Sequence, residues 1–371
     1  MKVVHLINGL GKGGAETMLY QVLRYRSSSA PDYLVISLGE GTYFEDRIRE
    51  TGICVEKIAF RKSPIISFFK LCRLVKNANV INCWLYYSNL IGLAVSMLGG
   101  KRKLVWNIRH SNLSPKVNKK TTLFINKLCS YLSKKVDTIA YNGKLAQKVH
   151  EEMGYTGKRA VVLDNGCDVE EFYFEKNARQ SIITELGLQQ SAKIILSVSK
   201  DEPIKDWPTY IKAIAKCKER NSKIVALICG RGLTADNSHF AETCLVYGLE
   251  IGKDIFPLGI REDIPRLLSA CDLYVLHSAG EAFPNALLQA MSCGCICIST
   301  DVGEARYMLD DDEMLVPVEN SEQLSKKILE ILNRPEQFFR EEKKKNRCRV
   351  KKFFSIRDIV QKYESIFVDK D

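Results

Sequence analysis

The sequence predicts an α/β protein of two doubly wound, Rossmann-like domains. Three observations carry this. The chain has 371 residues, enough for two domains that each bury a core. Short apolar runs alternate with helical stretches, the pattern of parallel strands joined by crossover helices. Polar or glycine-rich turns follow the runs, at the edge where ligands bind in open parallel sheets.

Val3–Asn8 is the first strand and feeds Gly9-Leu10-Gly11-Lys12-Gly13-Gly14-Ala15-Glu16, a turn that lets backbone approach phosphate closely. Its spacing is not that of the dinucleotide fingerprint, and the next strand, Leu34–Leu38, ends in Gly39 with no clear acid. Further strands are read at Asn79–Cys83, Lys103–Ile108 and Thr138–Tyr141, with Arg109-His110-Ser111 at the end of the second of these. Val161–Asp168 is a strand and a turn, and a linker follows near Glu170–Asn177. The second domain opens with a helix around Arg179–Leu186 and the strand Ile194–Ser199. Its next loop, Lys200–Asp206, puts Lys200 and Lys205 at a strand's C-terminal end. Two cations there can neutralise a diphosphate leaving group without a metal. Ile224–Cys229 is a strand running into Gly230-Arg231-Gly232, another phosphate-permissive turn. From Ser321 on the pattern is helical, with a basic run at Lys343–Lys352.

The stretch Cys271–Asp301 reads as strand, loop, helix, strand. Leu273–Leu276 and Cys295–Ser299 are buried-strand runs, Pro284 stands where a helix should open, and Gly294 where it should end. Backbone N–H groups around 284–286 and the positive end of the helix dipole make the preceding loop, His277-Ser278-Ala279-Gly280-Glu281, an anion site. Glu281 beside it suits hydroxyls on whatever carries the phosphate. Gln289 lies roughly 12 Å further along the helix axis, beyond the roughly 5–9.5 Å of a glycosidase carboxylate pair. One long ligand fits both: sugar hydroxyls at Glu281, diphosphate at the helix start and ribose near Gln289, as in a nucleotide-sugar.

This stretch resembles the Glu-x7-Glu segment of glycosyltransferase family 4, retaining enzymes with the GT-B fold of two domains facing a cleft. Glu281, Phe283, Pro284, Asn285, Leu288, Ala290, Met291 and Gly294 match it. Gln289 replaces the second Glu, and an amide can still accept from and donate to a diol. Gly13, Gly14 and Glu16 match the family's Gly-Gly-x-Glu turn over the donor diphosphate and acceptor, and Asn165-Gly166-Cys167-Asp168 its Asn-Gly-x-Asp segment. Arg261-Glu262-Asp263-Ile264 matches its base-contacting turn, where backbone groups read the nucleobase. Lys205 matches the family's Lys, while Lys200 replaces an Arg, keeping the charge but not the bidentate fork. Trp84–Tyr87 and Trp106–Ser111 look like polysaccharide-assembly members, in which a His at the position of His110 lies near the transferred sugar.

The resemblance implies catalytic roles for Glu281, Lys205 and His110. It implies substrate contacts at Gly13, Gly14, Arg109, Lys200, Gly230, Ile260, Arg261, Phe283, Pro284, Asn285, Ala286 and Gln289. It places an acceptor-side domain at 1–172, a nucleotide-sugar domain at 173–354 and a helix at 355–371 that crosses back to the first. The implied reaction is retaining transfer from a UDP- or GDP-sugar, with no cofactor or metal, to a lipid-linked saccharide of bacterial surface polysaccharide. The run Asp310-Asp311-Asp312-Glu313, which has the look of a DxD metal motif, falls where the family has an exposed turn and reads as solvated. A sugar-nucleotide epimerase of the same fold and a non-catalytic nucleotide-sugar binder are the competing readings.

Composition bounds the setting. Met1 leads straight into a strand with no signal peptide, and the most apolar window, Leu90–Leu98, is too short to span a bilayer. Thirteen scattered cysteines point to reduced thiols and a cytoplasmic location, with Cys293, Cys295 and Cys297 as small core residues rather than metal ligands. The net charge of +11 is uneven: residues 1–165 hold 26 basic and 11 acidic residues, and Lys57–Val136 holds 16 basic residues and no acid. An anionic membrane surface suits this better than nucleic acid, because no nucleic-acid module is recognisable and Ile65–Val75 reads as a short basic amphipathic helix.

Overall fold

The computed structural model describes residues 1–60, 62–98, 100–113 and 118–368. They form two compact units, Met1–Gly166 with Ile356–Asp371, and Cys167–Ser355. Residues 167–172, assigned to the first domain from sequence, pack with the second. The Cys167 N–H donates to the Phe354 carbonyl at 2.8 Å, and Phe172 is buried in the second unit's core.

Seven strands make the first sheet: β1 (Lys2–Ile7), β2 (Asp32–Ser37), β3 (Cys54–Lys57), β4 (Val80–Trp84), β5 (Lys103–Ile108), β6 (Thr138–Tyr141) and β7 (Arg159–Val162). Their order is β3-β2-β1-β4-β5-β6-β7, and every pair is parallel. The pleat sorts β1 to two faces. Val3 and Ile7 join a core that includes the helices Gly14–Arg24 and Ile356–Val368, while Val4 and Leu6 join one that includes Tyr86–Ser96. A strand covered on both sides must be apolar throughout, which is why KVVHLI reads as a continuous run. Winding proceeds from β1 out to β3, then resumes at β4 on the other side of β1. Such a reversal leaves a crevice at the strands' C-terminal ends, here beside Asn8 and Leu85.

The second sheet contains β8 (Lys193–Val198), β9 (Ile224–Cys229), β10 (Ile255–Pro257), β11 (Leu273–Leu276), β12 (Cys297–Thr300) and β13 (Leu315–Val316). Its order is β10-β9-β8-β11-β12-β13, so its reversal lies between β8 and β11. β12 begins two residues later than the sequence suggests. Cys295 precedes it because its N–H donates to the Ala290 carbonyl of the preceding helix at 2.9 Å, and Cys293, Cys295 and Cys297 are all buried. The final helix, Ile356–Val368, belongs to the first unit, where it buries Ile359, Tyr363 and Phe367.

Candidate active site

The second unit gathers its polar residues where β8 and β11 end. His277, just past β11, is buried between Trp207 and Tyr210, with ring centroids 4.4 and 4.6 Å away. Its Nε2 lies 3.0 Å from Ser197 Oγ on β8, and burial pushes its pKa down to about 3. It is therefore a neutral pillar beneath two loops. The first loop carries Lys205 on a one-turn 3-10 helix, Pro203–Lys205. Asp206 then turns left-handed (φ 53°), and its carboxylate accepts from Thr209 N–H to cap the helix Trp207–Arg220. The second loop is 277–284. The Ala279 N–H donates to the Ile204 carbonyl at 2.8 Å, which ties the loops together.

Across this tie Lys205 Nζ meets Glu281 Oε1 at 2.5 Å, and Ser278 Oγ donates to the same oxygen at 2.9 Å. The two charged side chains are only 18% and 15% exposed. Beside them begins the helix Asn285–Ser292. Pro284 is its N-cap residue rather than its first residue, and having no N–H it leaves the amide donors of this end to Asn285 and Ala286. The Leu287 and Leu288 N–H groups are already bonded to the Pro284 carbonyl. An ammonium, a carboxylate and a helix N-terminus thus share one loop cluster. An incoming phosphate can take the ammonium and the helix end, and a sugar hydroxyl can donate to the carboxylate.

The other expected contacts divide by where their side chains point. Lys200 Nζ lies 3.9 Å from Glu202 on the same loop as Lys205, and Gln289 is half-buried on the helix. Gly230 adopts φ 151°, and a Cβ there would stand 1.7 Å from the Ser199 carbonyl, so glycine is needed to let β9's exit cross the β8 loop. Arg261 does not offer its guanidinium to a ligand. It grips both Asp263 oxygens at 2.7 Å and Glu185 at 2.8 Å, holding the Asp263 carboxyl well below its usual range. Ile260 and Glu262 on this turn are exposed. Phe283 departs from expectation: its ring is buried against Phe354, with centroids 6.0 Å apart. The acidic run lies at the surface as expected: Asp310, Asp312 and Glu313 are exposed, and Asp310, Asp311 and Asp312 form surface pairs with Arg349, Lys345 and Arg306.

In the first unit His110 Nε2 lies 2.9 Å from Asn118 Oδ1, and His110 lines a cavity of about 250 Å³ with Asn8, Tyr86 and Tyr87. Arg109 borders this cavity, but its guanidinium is held elsewhere. It lies 5.0 Å from the Trp84 ring and 5.4 Å from the Tyr363 ring, and it donates to Asn165 at 2.6 Å. Burial pushes its pKa down to about 9, and its role is to fasten the final helix to β4. Gly13 caps the helix Gly14–Arg24 in an extended conformation, with the Glu16 carboxylate close by. Sequence reasoning missed Ser278 and the His277–Ser197 contact. Ser278 stands three residues before Glu281 in the same loop, while the His277 contact becomes visible only when β8 and β11 are neighbours.

Residues 178–350 match the family model for glycosyl transferases group 1. The chain is 26% identical over 329 residues, 85% of each chain, to the N-acetylgalactosamine-N,N'-diacetylbacillosaminyl-diphospho-undecaprenol 4-alpha-N-acetylgalactosaminyltransferase of Campylobacter jejuni. It is 26% identical over 244 residues, 64% of this chain and 61% of the other, to the UDP-Gal:alpha-D-GlcNAc-diphosphoundecaprenol alpha-1,3-galactosyltransferase of Escherichia coli. Anabaena HepE, solved with UDP and glucose, superposes with a TM-score of 0.85 over 99% of both chains at 22% identity. The second unit thus carries the match to glycosyl transferases group 1, and the chain is a glycosyltransferase with the GT-B fold.

Proposed function

We propose that this enzyme is a retaining, family 4 glycosyltransferase that moves a sugar from a UDP- or GDP-sugar to a lipid-linked saccharide, in bacterial surface-polysaccharide assembly. The observation that carries the reading is the Lys205–Glu281 pair beside the start of Asn285–Ser292. Glu281 accepts from sugar hydroxyls, while Lys205, Lys200 and the helix end stabilise the departing nucleoside diphosphate. The donor's bond from C1 to phosphate oxygen breaks on the face where the acceptor oxygen bonds to C1. The acceptor proton passes to the leaving phosphate, so the reaction balances without a protein nucleophile. With two lysines on the leaving group, no divalent ion is required. His110 belongs beside the transferred sugar.

The names of the Campylobacter and Escherichia relatives describe acceptors on diphospho-undecaprenol, which supports a membrane-held acceptor. No described helix is long and apolar enough to cross a bilayer. In this reading the enzyme docks peripherally on the cytoplasmic face. The helix Pro64–Leu74 supplies a foot: Ile65, Ile66 and Phe69 are each about 70% exposed, whereas Phe68 packs on the core. Thermal shift with a panel of nucleotide-sugars tests the donor assignment. A UDP- or GDP-sugar should raise Tm with and without chelator, and a shift that vanishes with chelator would contradict the metal-free reading.

A further inference from the structure

The loop that carries Glu281 is fastened by the turn that follows β12. Leu276 at the end of β11 pairs with Ser299, so the two chains leave neighbouring strands at the same level. Thr300, the last residue of β12, is buried, and its Oγ1 donates to the Ser278 carbonyl at 2.7 Å. The Glu304 N–H donates to the Ala282 carbonyl at 3.1 Å. Between them Gly303 turns left-handed (φ 53°), and a Cβ there would stand 2.5 Å from the Ala282 carbonyl oxygen and 2.7 Å from that of Glu281. The backbone on either side of Glu281 is therefore pinned to the sheet.

A glutamate on a fixed backbone still has several side-chain rotamers to choose from. Ser278 narrows that choice. It is only 1% exposed, and its hydroxyl donates to Glu281 Oε1 at 2.9 Å. A hydroxyl has a single hydrogen to give, and a bond to an ionised carboxylate is of the stronger, charge-assisted kind. Lys205 reaches the same oxygen at 2.5 Å, but a diphosphate arriving at the start of Asn285–Ser292 competes for that ammonium. Ser278 carries no charge to be drawn off.

We propose that Ser278 and Thr300 are positioning residues: Thr300 sets Ser278, and Ser278 aims the Glu281 carboxylate at the donor's sugar while Lys205 serves the diphosphate. This rests on the glycosyltransferase reading of the site, and it makes the grip on the sugar separable from the grip on the nucleotide. Both residues act through Glu281 rather than by touching the donor.

Calorimetry on the full chain tests it, with a panel of UDP- and GDP-sugars and with UDP and GDP themselves. The quantity read is the ratio of affinities between the sugar nucleotide that wild type binds tightest and its nucleoside diphosphate. Ser278→Ala should weaken the sugar nucleotide about tenfold or more, the loss of one hydrogen bond to a charged group, and leave the nucleoside diphosphate within about twofold. Thr300→Val should move the ratio the same way by about threefold, the loss of one neutral hydrogen bond, and Thr300→Ser should restore it. In a Glu281→Ala background Ser278→Ala should change the ratio no further, because the group it aims is gone. Tm checks that each variant is folded.

A folded Ser278→Ala variant that keeps the wild-type ratio, or that loses sugar nucleotide and nucleoside diphosphate equally, overturns the proposal. Additive losses in the double variant overturn it as well. If Glu281→Ala alone keeps the wild-type ratio, the reading of the site itself fails and the positioning role falls with it, so the two failures are told apart.

Discussion

Lys205 and Glu281 sit 2.5 Å apart and mostly shielded from water, so removing either leaves the other charge poorly compensated. Glu281→Ala should abolish transfer. Lys205→Ala should cut kcat/KM by about 2 kcal/mol or more, as losing one transition-state charge contact does. Gln289→Glu should stay within about tenfold of wild type, because amide and carboxylate both accept from a diol; steady-state kinetics read all three. Burial also holds His5 and His277 near pKa 3 and His150 near 4, below the ordinary histidine value of about 6.5. A histidine lowered in the fold takes up its proton more readily when unfolded. Its contribution is complete above about pH 6.5 and is lost as pH falls toward the folded value, at up to about 1.4 kcal/mol per pH unit for each. Tm should therefore drop between pH 6.5 and 4, and less steeply in a folded His277→Phe variant. Glu281 and Lys205 were legible because loop, helix start and spacing are written in order along the chain. Arg109 and Phe283 were expected to touch substrate, whereas their side chains pack against aromatic rings of their own units. A motif names the position, while the direction follows from packing against Trp84, Tyr363 and Phe354.

The elements that hold the site differ in how plainly they announced themselves. β1, β5 and β9 are buried on both faces and read as apolar runs, whereas β3 is a four-residue edge strand burying only Val55, and β13 has two residues. Neither carries enough apolar pattern to be read without its partner strand. The turn after β9 was visible as Gly230-Arg231-Gly232, but its reason was not: Gly230 is needed because the β8 loop passes against it. Gly230→Ala should lower stability by about 2 kcal/mol or more and loosen UDP binding, since relief of the clash must move the loop bearing Lys200 and Lys205. Tm and UDP titration measure both effects. The final helix is held by Tyr363, stacked on Trp84 with centroids 5.8 Å apart and under Arg109. Tyr363→Ala should cost about 3–5 kcal/mol, as aromatic-to-alanine changes in cores do, and chemical unfolding would show it.

At the scale of the whole chain, two doubly wound units were legible from length and alternation, while the returning helix came from the family resemblance alone. The boundary was not, because Asp168 turns back to accept from the Glu170 and Glu171 N–H groups and no composition shift marks the crossing. Charge asymmetry was legible too, and the structure adds apolar Ile65, Ile66 and Phe69 exposed within the acid-free region. Each basic residue near an anionic surface contributes about 1 kcal/mol. Co-sedimentation should therefore need anionic vesicles, weaken with salt and fall in an Ile65→Ser, Ile66→Ser, Phe69→Ser variant; equal recovery on neutral vesicles would refute membrane docking. What the enzyme does to the sugar is settled by one product analysis. Wild type and Glu281→Ala are incubated with each donor of a UDP- and GDP-sugar panel and an alkyl diphospho-saccharide acceptor, and the new linkage is assigned by NMR. The expected product keeps the donor's anomeric configuration, forms with chelator present and disappears in Glu281→Ala. An inverted linkage, or normal turnover by Glu281→Ala, would contradict retaining transfer at the Lys205–Glu281 site.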